Sequence, residues 1–253
     1  EYGVPVSIVR PAIVESSLNF PFEGWNEGIN TCAPIVYVLY RGHRFVPCNP
    51  ENILDLIPVD DVCRGTLMSG ASLLCGEPPE IFQLCTGDVN PLTMRRAVEL
   101  STLAWRQKYD KNEKNLIKRH LMRNLDSVAV DRKTYDRLSS PQVSRITKRA
   151  RKLIKSIPKA LLGPAKPVVK QIDRGLGALE KASSVCDAIF TVFKPFIEDN
   201  RPCFSSRNIR AISDRLVPDE KDVFGVHINE IDWRHYWADV HMGGLHKWVF
   251  GEL

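Results

Sequence analysis

The chain has 253 residues, of which 43% are hydrophobic and 26% charged, as is ordinary for a water-soluble globular protein of one large or two small domains. Its apolar runs are far shorter than the ~20 residues that a membrane-spanning helix needs. Its seven cysteines show neither a metal-binding nor a disulfide spacing, which is typical of a reducing compartment such as the cytosol. The net charge is +5, but residues 95–174 hold 22 Lys and Arg against 7 Asp and Glu. Such a surplus is typical of a surface for an anionic partner or of a solvated helical face.

The first part of the chain has the pattern of alternating strands and helices. A continuous apolar run predicts a buried strand over Val4–Val9, stopped by Arg10-Pro11. Further strands are predicted at Asp55–Val59 and Ile81–Gly87, with a helix between them that ends near Leu74. Strands joined by crossover helices indicate an α/β fold, namely the second half of a Rossmann-like parallel sheet.

Two polar residues are predicted to cap helices in this part. Asp60 stands just before the helix that follows the second strand, where a carboxylate can accept from the free N–H groups of the first turn. Asn90 is predicted to cap the next helix, with Pro91 at its first position.

From about Thr93 onward the pattern is mostly helical and basic. Apolar residues between Arg145 and Ile157 recur at spacings of three and four, and Lys and Arg cover the other positions, which predicts a basic amphipathic helix. The last helix is predicted over Asp232–Phe250, with an aromatic face suited to burial. We therefore expect an α/β domain over 1–92 and a helical, basic domain over 93–253.

Several patterns that resemble catalytic or metal sites carry little weight. The adjacent Asp60 and Asp61 favour capping over acid–base chemistry. His235, His241 and His246 are spaced by six and five residues, which does not align metal ligands on an α-helix. Ser16-Ser17 lies in no GxSxG elbow of a hydrolase, and the GxG at 175–177 follows no strand, so it does not predict a nucleotide loop.

Five stretches, taken together and in this order, resemble the alcohol-forming fatty acyl-CoA reductases of the extended short-chain dehydrogenase/reductase superfamily. They are "VSIVRPAIVESSLNFPFEGWNEG", "LDLIPVDDVCRG", "FQLCTG", "FKPFIEDNRPCFSSRNIRAISDRL" and "INEIDWRHYWADVHMGGLHKWVF". The resemblance is to the second half of those enzymes and covers nearly the whole chain. The basic segment from about Trp105 to Gly177 resembles them least.

That resemblance implies an NADPH-dependent reductase that converts a fatty acyl thioester, on coenzyme A or on acyl carrier protein, to aldehyde or alcohol. The family's glycine-rich nucleotide loop and its Tyr-x-x-x-Lys catalytic pair are absent from this sequence. We therefore expect a C-terminal fragment that has no reductase activity alone and exposes an unpaired sheet edge at its first strand.

The resemblance also assigns supporting roles to residues around the Arg-Pro turn. Pro11, Ala12 and Ile13 match the segment beside the nicotinamide and are the predicted cofactor-binding residues. The predicted substrate-binding residues are Glu15, Ser16, Ser17, Phe20, Phe22 and Trp25. The apolar stretch "APIVYVLY" at 33–40 is expected either to extend the acyl-chain channel or to be an ordinary core helix. No catalytic and no metal-binding residue is predicted.

Two other interpretations remain open. A sugar-nucleotide epimerase of the same superfamily would need a polar substrate loop, whereas residues 18–25 are largely apolar. A non-catalytic basic helical module would bind a membrane, an acidic protein or nucleic acid, although no nucleic-acid-binding motif is present. For the reductase, the helix at Arg145–Ile157 is expected to dock on an anionic membrane surface, which would make a cytoplasmic protein peripherally membrane-associated.

Overall fold

A computed structural model describes residues 4–76, 79–112, 116, 120, 124, 126–158, 166–199 and 203–251. Within this part of the chain the strands are β1 (Ile8–Pro11), β2 (Ile13–Glu15), β3 (Phe45–Pro47), β4 (Leu56–Pro58), β5 (Ile81–Leu84) and β6 (Val128–Val130). The helices are α1 (Ala33–Tyr40), α2 (Val59–Cys75), α3 (Met94–Asn112), α4 (Arg132–Leu138), α5 (Ser140–Ser156), α6 (Lys166–Lys194), α7 (Arg207–Ser213) and α8 (Pro218–Phe224). The π-helical turn Pro195–Asp199 directly follows α6.

The last helical stretch, which we call the C-terminal helix, covers residues 234–250. It is π-helical over Arg234–His241, α-helical over Met242–Gly244 and π-helical again over Leu245–Phe250. The predicted helix at Asp232–Phe250 is thus confirmed in place, but its winding is wider than the 3.6-residue pattern assumes.

The strands form three parallel pairs, β1 with β5, β2 with β4, and β3 with β6. The chain passes from the first pair to the second within two residues. The Ala12 amide donates to Leu84 O on the β5 side at 2.8 Å, and the next amide, that of Ile13, donates to Asp55 O on the β4 side at 3.1 Å. Parallel pairs linked through helices confirm the predicted α/β class with part of a Rossmann-like sheet, and the chain after Met94 is mainly helical.

The main hydrophobic core is continuous across the chain. It joins α1, β3, α3 and the C-terminal helix, and it includes residues as far apart as Cys32 and Phe250. A second core lies between α2, β5 and α7, around Phe82 and Ile209. The C-terminal helix therefore packs directly on the first part of the chain.

The first predicted strand is corrected in position and in burial. It runs over Ile8–Pro11 and not over Val4–Val9, and Val6 is 69% exposed. In the described part of the chain β1 has one hydrogen-bonded neighbour, β5, so no strand there pairs with its other edge. An apolar sequence alone does not distinguish a strand with two neighbours from one with a free edge.

Both predicted helix caps are wrong. Helix α2 begins at Val59 with Pro58 at the cap position, and the Asp60 side chain makes no capping bond. Helix α3 begins at Met94, and Asn90 lies before it, donating from Nδ2 to Ile228 O at 3.1 Å and to Ile231 O at 3.0 Å. Asn90 also accepts from Trp233 Nε1 at 2.9 Å. In both cases a contact with a distant segment outcompetes the local cap.

The basic amphipathic helix is confirmed as α5, which packs along α6. Arg151 lies between the two helices and donates to Asp173 Oδ1 at 2.9 Å and to Glu180 Oε2 at 2.8 Å. Exposed apolar side chains remain on α5 at Ile146 and Leu153 and directly after it at Ile157. They stand beside exposed cations at Arg145, Lys148, Arg149, Lys152 and Lys155.

Candidate functional site

The loop that follows β2, residues 16–25, is the predicted substrate loop. It closes on itself, because the Ser17 amide donates to Trp25 O at 3.2 Å and the Gly24 amide donates to Ser17 O at 3.0 Å. The Ser17 hydroxyl is buried and donates to Phe22 O at 2.5 Å. These bonds fix the loop at the carboxyl ends of the parallel strands, where ligands of such sheets bind.

Asp60 holds the outer turn of the substrate loop. Its carboxylate accepts from the backbone amides of Leu18 at 2.9 Å, Asn19 at 2.9 Å and Phe20 at 3.3 Å. Asp60 is buried, so these three N–H groups are the donors that compensate its loss of water. The residue thus works as a clamp between α2 and the loop.

The C-terminal helix covers the other side of the substrate loop. The Tyr236 hydroxyl donates to Ser16 O at 2.7 Å, and the Ser16 hydroxyl lies 2.9 Å from His241 Nδ1. Gly24 has φ +75° and faces Gly244 so closely that a Cβ on Gly244 would lie 2.0 Å from Gly24 O. These contacts join segments more than 200 residues apart in the sequence.

A buried group of polar side chains lies where the loop meets the C-terminal helix. Glu15 Oε1 accepts from the Cys32 amide at 2.9 Å, and Glu15 Oε2 lies 3.7 Å from His241 Nε2. Burial raises the pKa of the Cys32 thiol, and the neighbouring Glu15 carboxyl raises it further. Burial lowers the pKa of His241, while Glu15 opposes that shift. The histidine is therefore neutral at neutral pH and the cysteine remains a thiol.

An apolar cavity of about 360 Å³ adjoins β2 and this polar group. Its walls come from β2, α1, α3, the end of α6 and the C-terminal helix, and include Val36, Ala97 and Trp237. Trp237 Nε1 donates to Ser101 Oγ at 2.9 Å, which satisfies the polar atoms at that wall. Phe196 lies at the rim, since it lines the cavity and is 56% exposed. A volume of this size with apolar walls suits one hydrocarbon chain.

The structure brings some of the predicted site residues to this cavity. Ala12 and Ile13, predicted to bind the cofactor, line it, and Pro11 is exposed at the end of β1. Glu15, Ser16 and Ser17 are buried beside the C-terminal helix. Phe20 is 73% exposed and Phe22 packs on Trp248, with ring centroids 5.3 Å apart. None of the six predicted substrate-binding residues is among the described residues that line the cavity.

Helix α1 is the part of the prediction that matches the cavity best. The stretch "APIVYVLY" forms this helix, and its residues Ile35, Val36 and Leu39 line the cavity. The helix also belongs to the main core through Val38, so the core-helix expectation is confirmed, and its part in an acyl-chain channel stays a prediction.

Sequence reasoning missed the residues that hold the substrate loop, namely Asp60 as a clamp, Tyr236, His241 and Gly244. One signal was available for the last of them. A Gly-Gly pair at 243–244 inside an apolar helical stretch is unfavourable for a helix and indicates a close packing contact. No local pattern marks Tyr236 or His241, because their partners lie in β2 and its loop.

Two searches of the described residues were negative. Over those ranges no group of three or more His, Cys, Asp and Glu side chains could hold a metal ion. No helix in the same ranges is long and apolar enough to cross a membrane.

The first 66 residues match the NAD-binding family described as male sterility protein. Over 97% of its length the chain is 26% identical to the chloroplastic fatty acyl-CoA reductase 2 of Arabidopsis thaliana, of which it covers 38%. It is 24% identical to fatty acyl-CoA reductase 1 of Homo sapiens over 98% of its length, covering 44% of that protein. A 67-residue stretch is 37% identical to the alcohol-forming fatty acyl-CoA reductase of Simmondsia chinensis, covering 14% of it.

The chain thus spans about two fifths of the length of the relatives that it matches almost from end to end. The resemblance predicted from the sequence is confirmed by these relatives. The chain is similar to fatty acyl-CoA reductases along nearly its whole length, and its first 66 residues match a family of NAD-binding domains.

Proposed function

We propose that the chain is the acyl-binding and C-terminal portion of an NADPH-dependent reductase of fatty acyl thioesters. The observation that carries this proposal is the apolar cavity of about 360 Å³ beside β2 and the carboxyl end of β1. The substrate is a fatty acyl-CoA or an acyl carrier protein thioester, and the product is the fatty aldehyde or alcohol.

The chain's own residues suit one part of a dinucleotide site. Pro11 is exposed at the end of β1, and Ala12 and Ile13 stand where the chain passes from one parallel pair to the next, which is the kind of position that binds nicotinamide cofactors in doubly wound sheets. The sequence has no glycine-rich phosphate loop, so these residues would hold only the nicotinamide end. When bound, NADPH would supply the hydride that reduces the acyl carbonyl.

The role of the chain in such a reaction is to bind and position. The cavity walls take the acyl chain out of water, and each buried methylene contributes about 0.8 kcal/mol. The substrate loop, fixed by Asp60 and by the C-terminal helix, borders the strand ends where the thioester would lie. Proton donation would need the family's Tyr-x-x-x-Lys pair, which this sequence lacks, so we assign acyl binding to the chain and no turnover by itself.

The domain division at residue 92 is part of the proposal. Residues 1–92 would supply β2 and α1 as cavity walls and the substrate loop beside them, whereas residues 93–253 would supply the remaining walls from α3, the end of α6 and the C-terminal helix. The two parts would therefore build the acyl site jointly.

Filling the cavity tests the acyl site. Val36→Trp adds an indole to the wall from α1, and we expect it to weaken binding of a fluorescent fatty acyl-CoA more than 100-fold, because the displaced length of about four methylenes is worth about 3 kcal/mol. Binding is measured by fluorescence titration. The control Val168→Trp makes the same exchange at an exposed position of α6 and should leave affinity unchanged. Equal affinity of the two variants would exclude the cavity as the acyl site.

We further propose that α5 docks the protein on anionic membranes, where fatty acyl thioesters are found. The observation that favours this is the exposed apolar row of Ile146, Leu153 (70% exposed) and Ile157 beside exposed Lys and Arg. Amphipathic helices of this kind bury their apolar side chains among lipid headgroups while their cations pair with lipid anions.

Charge reversal on α5 tests this docking. The double variant Arg149→Glu/Lys152→Glu should bind vesicles containing phosphatidylserine at least about 30-fold more weakly, since each cation near the surface contributes about 1 kcal/mol. Arg207→Glu/Arg215→Glu changes the net charge equally at two exposed positions on and after α7 and should bind like the unchanged chain. Flotation on vesicles with and without phosphatidylserine measures both. Identical flotation of the two variants would overturn the docking proposal.

A further inference from the structure

The polar group between β2 and the C-terminal helix has an arrangement that fixes its protons. Ser16 Oγ already accepts from Asn26 Nδ2 at 3.1 Å, so its own hydrogen is free to point at His241 Nδ1, 2.9 Å away. His241 Nδ1 is then the acceptor, and the imidazole proton stays on Nε2. That nitrogen faces Glu15 Oε2 at 3.7 Å.

This group has no access to water. Glu15, Ser16 and His241 are all at most 3% exposed. Neither Glu15 Oε2 nor His241 Nε2 has a hydrogen-bond partner within the described ranges of the chain. A buried carboxyl and a buried imidazole that face each other without a full hydrogen bond are costly to maintain, which indicates that the arrangement serves more than packing.

We propose that His241 is a positioning residue, whose neutral imidazole accepts a hydrogen bond from Ser16 and fastens the start of the substrate loop to the C-terminal helix, and whose protonation reverses the direction of that bond. The inference rests on the proposed function only in taking residues 16–25 as the loop that borders the acyl thioester. Protonation puts a hydrogen on Nδ1, so the Ser16 hydroxyl loses its acceptor, and Ser16 Oγ has to accept from Nδ1 as well as from Asn26 Nδ2.

The same helix connects this fastening to the cavity. Trp237, one turn before His241, lines the cavity, and the two rings lie 4.8 Å apart between centroids. An acyl chain against the Trp237 indole would therefore contact a ring that packs on His241. His241 thus touches both a wall of the cavity and the start of the substrate loop.

Several other titratable groups surround His241. Glu15 faces it from β2, Cys32 from the start of α1, and Tyr236 from the same helix, with Asp60 and Asp61 of α2 beyond Tyr236. Burial raises the pKa of both Cys32 and Tyr236, so these two stay neutral. Since burial also lowers the pKa of His241, the folded state binds its proton less readily than the unfolded chain. His241 therefore contributes to the free energy of unfolding at pH values above the ordinary histidine pKa, and this contribution is lost as the pH falls below that pKa.

The test compares the purified chain with His241→Asn by urea unfolding at pH 7.5, 6.5 and 5.5. The amide oxygen of asparagine can accept from Ser16 in place of Nδ1 and does not titrate. Below pH 6.5 we expect the unfolding equilibrium constant of the unchanged chain to rise up to about tenfold per pH unit relative to that of the variant. Burial also lowers the pKa of His43, but this contribution is common to both proteins and cancels. Parallel pH dependence of the two proteins would overturn the inference.

Should the variant fail to fold, ¹⁵N NMR of the histidine-labelled, unchanged chain decides the question. A neutral His241 carrying its proton on Nε2 at pH 7 supports the inference, and an imidazolium or a proton on Nδ1 overturns it. Titration with the fluorescent acyl-CoA at pH 7.5 and 5.5 separates the two proposals. A chain with the expected pH-dependent unfolding that never binds the acyl probe would refute the acyl site and leave the role of His241 standing.

Discussion

Replacing Gly244 by alanine should lower the free energy of unfolding by about 3 kcal/mol, because a Cβ there would lie 2.0 Å from the carbonyl oxygen of Gly24. That neighbour is backbone, and it belongs to a loop fixed by its own hydrogen bonds, so it cannot move aside cheaply. Either the C-terminal helix or the substrate loop has to shift. Urea unfolding measures the loss of stability, and acyl-CoA binding should weaken with it.

The neighbouring glycine gives a matched control for this substitution. A Cβ on Gly243 would meet no atom within 4 Å. Since alanine is a better helix former than glycine, Gly243→Ala should raise the free energy of unfolding by about 0.5–1 kcal/mol. Two variants with the same chemical change, one residue apart, are thus expected to have effects of opposite sign. Similar effects would mean that the helix and the loop are not in contact.

Asp60→Asn should destabilise the chain by about 3 kcal/mol and open the substrate loop. The carboxylate accepts from three backbone amides, and hydrogen bonds to a charged group are worth about 1.5–3 kcal/mol each. An asparagine side chain has only one oxygen that can accept, whereas both carboxylate oxygens of Asp60 do so. Its NH₂ group would therefore face at least one of the three backbone N–H groups, and that pair cannot form a hydrogen bond. The measurements are urea unfolding and limited proteolysis within residues 18–20.

This substitution also separates a clamp from a helix cap. Asparagine caps helices about as well as aspartate, so a capping role would make Asp60→Asn nearly neutral. Asp131 is a true cap on α4, accepting from the Thr134 amide at 2.9 Å, and Asp131→Asn should change stability by less than about 0.5 kcal/mol. If the two variants behaved alike, Asp60 would be no clamp.

The elements that the sequence predicts well are those set by local pattern. The strands near Asp55–Val59 and Ile81–Gly87, the basic helix and the last helix were all placed by apolar periodicity or by turn residues. The corresponding elements β4, β5 and α5 and the C-terminal helix lie within a few residues of those positions. Side chains that repeat along one face report burial directly, so these predictions need no knowledge of the partner.

The predictions that failed depend on partners far away in the chain. Asp60 and Asn90 each had a plausible local role as a cap, but each bonds to a segment 40 or more residues away. The exposure of β1 is likewise a property of its neighbours and not of its own residues. The cavity combines α1, α3 and the C-terminal helix, so no single stretch carries a signal for it.

The π-helical winding of the C-terminal helix decides which of its side chains reach the loop. With i→i+5 bonds, residues five apart lie nearer to one face than they do on an α-helix, and Tyr236 and His241 both contact Ser16. On an α-helix the same two residues would point about 140° apart, at 100° per residue. The rule that rejects a five-residue spacing as a common face holds only for α-helical winding. In this segment the number of residues per turn matters to the site as much as the identity of the residues. One residue added or deleted between Tyr236 and His241 would turn the phenol hydroxyl and the imidazole to different sides of the helix.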